Sequence, residues 1–395
     1  MTISLEDIKK MDAADPLAGK RDLFDLPKGI IYLDGNSLGA LPHAVRERIR
    51  DVTENEWGKS LIAGWDKHAW VALPGKVGDK IATLIGAEAG EVVVTESTSI
   101  NLFRAIHAAM QLKGGTITIL TEEGNFPTDL YVLDAIQRDS EGKVTLKRVA
   151  KDALMDNLDE TIDILTLTHA NYKTSVRHDM AALTKKAKEF GALTVWDLSH
   201  SAGALPVDLN GCGVDLAIGC GYKFLNGGPG GSVYIFVAER HQNNILPTLA
   251  GWMGHVRPFD FSSDYEPVDG IGRQLTGTPF VIGAAALDSA LDVFAGVDME
   301  MIGEKTGKLG DLFIALVKDH CRSMTIACPE NAVERTSQVT FTHPEAQKIM
   351  TEVIAKGVVA DFRPPNVMRF GMAPLYNSYE DIYNTVMTLK DVLKT

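Results

Sequence analysis

An aspartate and a lysine end two successive apolar segments near the middle of the chain. Asp197 ends ALTVWD, and Lys223, 26 residues further on, ends VDLAIGCGYK, which a glycine-rich bend follows. A strand, a crossover and a second strand occupy about this length. A lysine amine forms a Schiff base with a carbonyl, and an acid can keep a pyridine nitrogen protonated. The ordered pair therefore predicts a pyridoxal phosphate site, although either residue alone is most often simply solvated.

Other residues near predicted strand ends could complete such a site. Thr98 and Ser99 lie at a predicted helix start after the strand 92–94, where N–H groups bind phosphate, although the same residue types also serve as ordinary caps. Tyr222 adds a hydroxyl beside the lysine and is a candidate proton donor. Phe126 could cover one face of a ring. Further polar candidates at strand ends are Asp129, Tyr172 and His200.

Apolar strands alternate with helices through the first two thirds of the chain. The predicted strands are 92–94, 116–120, 144–149, 163–172, 192–203 with its exit, 214–223 and 231–238. This alternation predicts a mainly parallel sheet covered on both faces, in which ligands bind at the carboxyl ends of the strands. The last part of the chain, with predicted strands 337–342, 357–360 and 366–370, suits a small α+β domain.

Composition excludes several classes of function. The 395 residues are 45% hydrophobic and 23% charged, and the net charge of −13 argues against nucleic acid or anionic membrane as a partner. The start has no apolar signal region and no apolar run is long enough for a membrane helix, so we expect a cytoplasmic protein. The four cysteines form no CxxC pair and the histidines are scattered, so we expect reduced thiols and no metal site.

Seven segments along nearly the whole chain carry a family resemblance. They are YLDGNSLG (32–39), WGKSLIAGW (57–65), STSINLF (97–103), NFPTD (125–129), NYKT (171–174), WDLSHSAGALPVDLNGCGVDLAIGCGYKFLNGGPGG (196–231) and RFGMAPLYNSYEDIY (369–383). On these segments the chain resembles the bacterial-type kynureninases, which are fold-type-I pyridoxal phosphate enzymes of the aminotransferase class V group. Ser199 is a minor departure, since alanine is expected there.

The resemblance implies an α/β architecture with two domains. A large domain with a mainly parallel seven-stranded sheet would bind the cofactor, and a small α+β domain would follow it. We place the large domain at 59–295 and the small domain at 296–395. The N-terminal arm and helix, 1–58, would pack with the small domain. The family also implies a homodimer whose sites lie at the subunit interface.

The resemblance further implies roles for individual residues around the cofactor. Lys223 would hold the cofactor covalently and Asp197 would face its ring nitrogen. Phe126 would stack on the ring, with Asp129 and His200 beside it. The residues around the phosphate would be Thr98, Ser99, Tyr222, Trp252 and Thr278, of which Trp252 and Thr278 would come from the partner subunit.

Substrate contacts are implied in the same way. Arg369 would bind the α-carboxylate, a role suited to a planar bidentate donor, although a strand-end salt bridge is the alternative. The other substrate residues would be Ser37, Trp65, Tyr172 and Gly277. The implied reaction is hydrolysis of L-kynurenine to anthranilate and L-alanine in tryptophan catabolism. Trp65 and Gly277 resemble members that prefer this substrate over 3-hydroxykynurenine, because Gly277 offers no hydroxyl to a ring substituent.

Two other functions compete with this reading. A cysteine desulfurase or selenocysteine lyase on the same fold would need a mobile catalytic cysteine, and Cys321 and Cys328 lie where such a loop could be, without a glycine-rich context. A non-catalytic binding protein could also keep the fold. The intact Asp197 and Lys223 pair argues against the second alternative.

Overall fold

The computed structural model describes residues 3–394. Its strands are β1 (Ile31–Tyr32), β2 (Val92–Val94), β3 (Ile117–Glu122), β4 (Val144–Val149), β5 (Ile164–Thr168), β6 (Leu193–Asp197), β7 (Leu216–Cys220), β8 (Val233–Val237), β9 (Thr325–Ile326), β10 (Gln338–Thr342), β11 (Val358–Val359), β12 (Asp361–Arg363) and β13 (Val367–Gly371).

The α-helices are α1 (Leu5–Ala13), α2 (His43–Asp51), α3 (Gly58–Ser60), α4 (Gly64–Lys67), α5 (Leu73–Leu84), α6 (Thr98–Lys113), α7 (Pro127–Asp139), α8 (Leu154–Asn157), α9 (Met180–Glu189), α10 (Leu209–Cys212), α11 (Glu239–Gln242), α12 (Val281–Ala290), α13 (Met299–His320), α14 (Ala346–Ala355) and α15 (Tyr379–Val392). None of these helices is both long and apolar enough to cross a membrane.

A seven-stranded sheet forms the centre of the molecule, in the order β2-β8-β7-β6-β5-β3-β4. Only β8 runs antiparallel to its neighbours, and every residue of β5, β7 and β8 is buried. Successive residues of a strand alternate between two apolar clusters: Leu165 belongs to one, and Ile164 to the other. Helices therefore cover both faces, and the predicted α/β fold with a mainly parallel seven-stranded sheet is confirmed.

The register of this sheet aligns the residues that could do chemistry. Thr168, the last residue of β5, pairs with Asp197, the last residue of β6, and Asp197 pairs with Ile218 of β7. Because these strands are parallel, their carboxyl ends meet at one edge of the sheet. Lys223 lies in the turn that follows β7 at this edge.

A second sheet of four antiparallel strands, in the order β12-β13-β10-β9, lies in the C-terminal part. Its core contains Phe313, Phe341 and Phe370, whose ring centroids lie 5.0–6.1 Å apart. The sequence patterns did not predict β9 or β12, because runs of two and three half-exposed residues carry too little periodicity. The predicted strand 357–360 is shorter than expected, and β11 pairs with β1 instead of joining this sheet.

The N-terminal segment divides between the two parts of the molecule. Helix α1 packs against α15, where the Asp12 carboxylate accepts hydrogen bonds from the backbone N–H groups of Tyr379 and Glu380 at 2.7 and 2.9 Å. Helix α2 instead packs its apolar residue Val45 against Ala286 and Ala290 of α12. The prediction that the whole of 1–58 packs with the small domain is therefore wrong for α2, because its apolar face fits the alanine-rich face of α12. The domain boundary at residue 295 stays a prediction.

Candidate active site

A cavity of about 330 Å³ opens at the carboxyl edge of the large sheet. Its wall contains every cofactor residue that the sequence assigned to this subunit. The lining residues are Glu96, Ser97, Thr98, Ser99, Phe126, Thr128, Asp129, Thr168, Asp197, Ser199, His200, Tyr222, Lys223, Gly230, Gly231 and Val233. The structure thus brings together residues from six different segments of the chain.

Lys223 is held by a histidine. Its Nζ lies 2.9 Å from Nε2 of His200 and 5.7 Å from the centre of the Tyr222 ring. Burial, and then the nearby Lys223 charge, holds the pKa of His200 well below its ordinary value, so the imidazole is neutral and accepts from the lysine. The buried Nδ1 of His200 has no hydrogen-bond partner among the described residues.

Asp197 lies buried at the end of β6, with 4% of its surface exposed. One carboxylate oxygen accepts a hydrogen bond from the Ser199 N–H at 2.7 Å. Burial raises the pKa of Asp197, while the bonds to Ser199 and the charge of Lys223 act in the opposite direction. A carboxylate in this position is stabilised by a cation in the cavity, and a protonated pyridine nitrogen is such a cation.

A second carboxyl lies close to the first. Burial, and then the charge of Asp197, raises the pKa of Asp129 well above its ordinary value, which favours the neutral form of Asp129. The Thr168 hydroxyl lies 3.3 Å from Oδ2 of Asp129 and also bonds to Asn125. Sequence reasoning missed Thr168, although its position as the last residue of an apolar strand was a usable signal.

The start of helix α6 forms another wall of the cavity. The predicted caps, Thr98 and Ser99, are wrong: Ser97 is the N-cap, and its hydroxyl accepts from the Ile100 N–H at 3.4 Å. Thr98 and Ser99 are consequently the first helical residues, and no partner is found within residues 3–394 for their N–H groups. Free N–H groups at a helix start, together with two hydroxyls, fit a phosphate.

The residues at this edge therefore fit pyridoxal phosphate. Among the described residues, the buried Nδ1 of His200 has no hydrogen-bond partner, and the Asp197 carboxylate favours a cation. A helix start faces the same space, and the ring of Phe126 forms part of its wall. Buried polar groups are normally satisfied, so this unpaired nitrogen indicates that a bound group completes the site.

Three of the predicted substrate residues form a second cluster beside the cavity. Arg369 of β13 is 1% exposed and binds Asp361 in a bidentate pair, with Nε 2.8 Å from Oδ1. One terminal nitrogen also donates to the Ser37 hydroxyl at 2.8 Å, and the other donates to the Tyr172 carbonyl at 2.7 Å. Sequence reasoning missed Asp361, because it pairs with Arg369 only through the register of β12 and β13.

Tyr172 connects this cluster to the cavity. While its carbonyl accepts from Arg369, its ring meets the Phe126 ring edge to face, with centroids 5.1 Å apart. The Gln338 amide donates to the same carbonyl at 3.0 Å and fixes it. The arginine cluster and the cavity thus share one wall.

Four predicted residues lie away from the main cavity of the described chain. Trp252 stacks on Phe261 with ring centroids 6.0 Å apart, and Trp65 packs against Trp70 at 5.5 Å. The other two residues, Gly277 and Thr278, line a separate cavity of about 20 Å³. Glu96 lines both this cavity and the main one.

The fold and the cavity define the class of protein. A lysine and an aspartate at neighbouring strand ends, with a helix start for a phosphate, are the parts of a fold-type-I pyridoxal phosphate enzyme. Solved structures show the same fold. The chain is similar to the cysteine desulfurase CsdA of Escherichia coli, with a TM-score of 0.81, 19% identity and coverage of 96% of this chain and 98% of that one.

A second similar structure is the cysteine desulfurase of Thermococcus onnurineus, with a TM-score of 0.78 and 18% identity over 100% of this chain and 99% of that one. A third is a C-DES protein with glycine covalently linked to its pyridoxal phosphate cofactor, with a TM-score of 0.79 and 17% identity over 94% and 99% of the two chains. At these identities the likeness shows the fold alone.

Sequence comparison gives the family. A kynureninase C-terminal domain model matches residues 302–389. The chain is 46% identical to the kynureninase of Deinococcus radiodurans over 99% of this chain and 97% of that protein. It is 43% identical to the kynureninase of Pseudomonas fluorescens over 98% and 95% of the two chains. The chain belongs to the kynureninase family of pyridoxal phosphate enzymes, as the sequence motifs predict.

Proposed function

We propose that this chain hydrolyses L-kynurenine to anthranilate and L-alanine with pyridoxal phosphate as its cofactor. The observation that carries the proposal is the 46% identity to a kynureninase along 99% of the chain. Lys223, Asp197 and the start of α6 around one cavity agree with it. The reaction would be a step of tryptophan catabolism that consumes L-kynurenine and releases anthranilate and L-alanine.

The cofactor, when bound, supplies an electron sink for the substrate carbon beside the amino group. Residues of this chain do the rest. The Asp197 carboxylate holds the positive ring nitrogen, Phe126 covers one ring face, and Thr98 and Ser99 bind the phosphate with N–H groups and hydroxyls. The raised pKa of Asp129 favours its neutral form, which can donate a hydrogen bond beside Asp197.

Lys223 and Tyr222 are the proposed proton carriers. The lysine amine takes a proton from the substrate and returns it, and the neutral His200 imidazole keeps the amine at hand through the 2.9 Å bond. Burial raises the pKa of Tyr222, so its hydroxyl stays protonated and can act as a donor. A Tyr222→Phe enzyme with unchanged turnover would exclude this role for Tyr222.

The proposed substrate residues divide between carboxylate and aromatic ring. Arg369 binds the α-carboxylate, supported by Ser37 and Tyr172. Trp65 and Gly277 surround the aromatic ring, and a Cβ built on Gly277 meets nothing within 4 Å. Gly277 has no hydroxyl that could form a hydrogen bond with a hydroxyl on the substrate ring. We therefore expect kcat/KM to be higher for L-kynurenine than for 3-hydroxykynurenine.

The functional unit in this proposal is a homodimer in the cytoplasm, with Trp252 and Thr278 reaching the partner's phosphate. An apolar groove of about 420 Å³ supports it, because its residues Trp57 and Phe280 are 57% and 67% exposed and Phe280 lies two residues after Thr278. Phe280→Arg should convert the dimer to a monomer in light scattering and release cofactor. A wild-type protein that is monomeric at micromolar concentration would contradict this.

The desulfurase alternative has the fold likeness in its favour. Its chemistry needs a mobile cysteine at the cofactor, but Cys321 and Cys328 are 2% and 9% exposed and belong to the core of the C-terminal part. Burial also raises the pKa of both thiols, which makes them poor nucleophiles.

Product analysis separates the two activities. The holoenzyme is incubated with L-kynurenine, and anthranilate is followed by its fluorescence; a parallel reaction with L-cysteine is assayed for sulfide. We expect anthranilate and alanine in equal amounts and no sulfide. Cofactor-loaded protein that makes sulfide and no anthranilate would overturn the proposal. A Cys321→Ala, Cys328→Ala double variant should keep full activity on L-kynurenine.

A further inference from the structure

The carboxylate-binding arginine lies in a cluster of charged groups that the reaction described above does not use. Asp361 accepts from Arg369 at both oxygens, and a terminal nitrogen of Arg363 forms an ion pair with the same carboxylate at 2.8 Å. The Ser37 hydroxyl lies between them, 3.1 Å from Asp361 and 2.8 Å from Arg369. The inner edge of the guanidinium is therefore occupied by a carboxylate of the protein.

A guanidinium has five N–H donors, and the structure accounts for four of those of Arg369. Asp361 accepts hydrogen bonds from Nε–H and from one N–H of a terminal nitrogen, and the Ser37 hydroxyl accepts from the other N–H of that nitrogen. The Tyr172 carbonyl accepts a hydrogen bond from one N–H of the second terminal nitrogen. What is left for a substrate carboxylate is the outer end, where one N–H of Arg369 has no partner among the described residues and the Ser37 hydroxyl can turn.

A second carboxyl group, that of Asp34, lies beside this cluster. Asp34 is joined to β13 through a bridge to Gly371, two residues beyond Arg369, and its Oδ1 is buried without a partner among the described residues. Burial, and then the charge of Asp361, raises the pKa of Asp34 to about 6; the hydroxyl of Ser37 and the two arginines act in the opposite direction. The charged and titratable groups that face Asp34 are Asp361, Arg363, Arg369, Tyr32 and Tyr376.

We propose that Asp361 and Asp34 are positioning residues for substrate binding: Asp361 aims the outer end of Arg369 at the substrate carboxylate, and Asp34 carries the proton taken up when that carboxylate binds. This rests on the proposed role of Arg369. With Asp34 protonated, two arginines and one carboxylate have a net charge of +1, which a substrate carboxylate neutralises. With Asp34 ionised, the same binding leaves an uncompensated negative charge in a buried place.

The sign of the pH effect follows from this charge balance. A bound carboxylate raises the proton affinity of Asp34 further, because like charges disfavour its ionised form. Substrate binding is therefore tighter when Asp34 is protonated, and it weakens as pH rises from about 6 toward 8. Each further pKa unit that binding adds to Asp34 corresponds to about a tenfold change in affinity over that range.

The kinetic test compares three holoenzyme variants with the wild type between pH 6 and 8.5. Asp34→Asn is isosteric and permanently neutral, Asp361→Asn removes the charge on the inner edge of Arg369, and the exposed Asp391→Asn is the matched control. The wild type and the control should show a KM for L-kynurenine that rises about three- to tenfold across this range. Asp34→Asn should flatten the rise and have the lower KM at pH 8.

Asp361→Asn should act on binding and not on the chemical step. Its KM should rise about tenfold or more with kcat changed less than about twofold, because the arginine contact is the same in the ground state and the transition state. Asp361→Glu, which keeps the charge, should recover part of the affinity. An unchanged KM in Asp361→Asn, or identical KM profiles for Asp34→Asn and the control, would overturn the corresponding half of the proposal.

A readout without turnover separates this proposal from the proposed function. Calorimetric titration of the holoenzyme with L-alanine in two buffers of different ionisation enthalpy counts the protons taken up, and Asp34→Asn should take up fewer than the control. In the apoprotein, a raised folded-state pKa makes the ionised Asp34 destabilising at pH 7.5, an effect that disappears as pH falls toward 4.

Asp34→Asn should therefore raise the unfolding temperature of the apoprotein at pH 7.5 and leave it unchanged near pH 4. If this difference is found but L-kynurenine is not a substrate, the proposed function is wrong and the proposed protonation of Asp34 is retained. If L-kynurenine is hydrolysed but neither proton uptake nor unfolding temperature responds to Asp34→Asn, the inference fails and the proposed function stands.

Discussion

The cofactor cavity and the arginine cluster handle buried charge in opposite ways. Around the cavity, His200 Nδ1 has no partner among the described residues, and burial raises the pKa of Asp197. In the arginine cluster, Arg369 already meets a carboxylate, a hydroxyl and a carbonyl of the protein. The cavity is therefore incomplete until a group binds, whereas the charge of Arg369 is already compensated by groups of the protein.

This difference matches the molecules that the two regions are proposed to bind. The cavity would bind the cofactor, and the arginine cluster would bind the substrate carboxylate. A permanently held cofactor can satisfy polar groups that are otherwise left unpaired, so the cavity can be built around it. A substrate arrives and leaves in every cycle, and a buried arginine without a partner in between would be costly. Asp361 compensates the charge of Arg369 during those intervals.

Lys223→Ala should have the largest effect, because one residue is proposed both to hold the cofactor and to move the proton. We expect turnover to fall at least about 10³-fold. The absorbance band of the lysine-bound cofactor, and its bleaching by borohydride, should also be lost. Lys151→Ala, at an exposed position, is the control. Normal turnover in Lys223→Ala would show that the cavity is not the catalytic site.

Asp197→Asn and Asp129→Asn test whether the two buried carboxyls differ in protonation. Asp197→Asn should lower kcat about 10²- to 10³-fold, since a neutral amide does not stabilise a positive ring nitrogen. Asp129→Asn should cost less than about tenfold, because the raised pKa of Asp129 favours its neutral form. Equal losses in steady-state kinetics would show that both carboxylates are ionised.

Arg369→Lys should weaken binding without disturbing the cavity. A lysine keeps the charge but cannot form the bidentate pair with Asp361 and reach Ser37 at the same time. We expect KM to rise about 10- to 100-fold, as for the loss of one charged hydrogen bond, with the cofactor absorbance unchanged. A loss of cofactor from Arg369→Lys would mean that the two regions are one structural unit.

Gly39→Ala should have the smallest effect and tests the backbone link between the two regions. The Gly39 N–H donates to the Tyr222 carbonyl at 2.9 Å, and an added Cβ would lie 2.2 Å from the Lys223 carbonyl. We expect about 1–3 kcal/mol of lost stability, with weaker cofactor retention measured by dialysis and absorbance. Gly19→Ala, which meets no atom within 4 Å, is the control, and equal stability of the two variants would contradict this contact.

Much of the cavity could be predicted from the sequence because its residues follow local patterns. Asp197 and Lys223 end apolar runs, and the carboxyl ends of parallel strands meet at one edge of a sheet. Hydrophobic periodicity was enough to place β2 and β4 to the residue. The helix cap was misplaced by one or two residues, since Ser97, Thr98 and Ser99 are all suitable caps and only the backbone geometry selects Ser97.

The arginine cluster could be predicted only in part. Motif resemblance named Arg369 and Ser37, but neither Asp361 nor Asp34 has a local pattern that sets it apart from a solvated aspartate. Their roles depend on which strand lies beside which, and on the N-terminal segment returning to β13 through the bridge between Asp34 and Gly371.

The family, the α/β fold, the cofactor and the residues at the carboxyl ends of the strands follow from the amino-acid sequence, because they depend on short motifs and on the period of apolar residues. The folded chain is needed to show that Asp361 occupies the inner edge of Arg369, that Asp34 is buried beside it, and that α2 packs on α12. Strand register and burial are set by contacts between distant segments, and protonation follows from burial and neighbouring charge, so none of these is visible until the chain is folded.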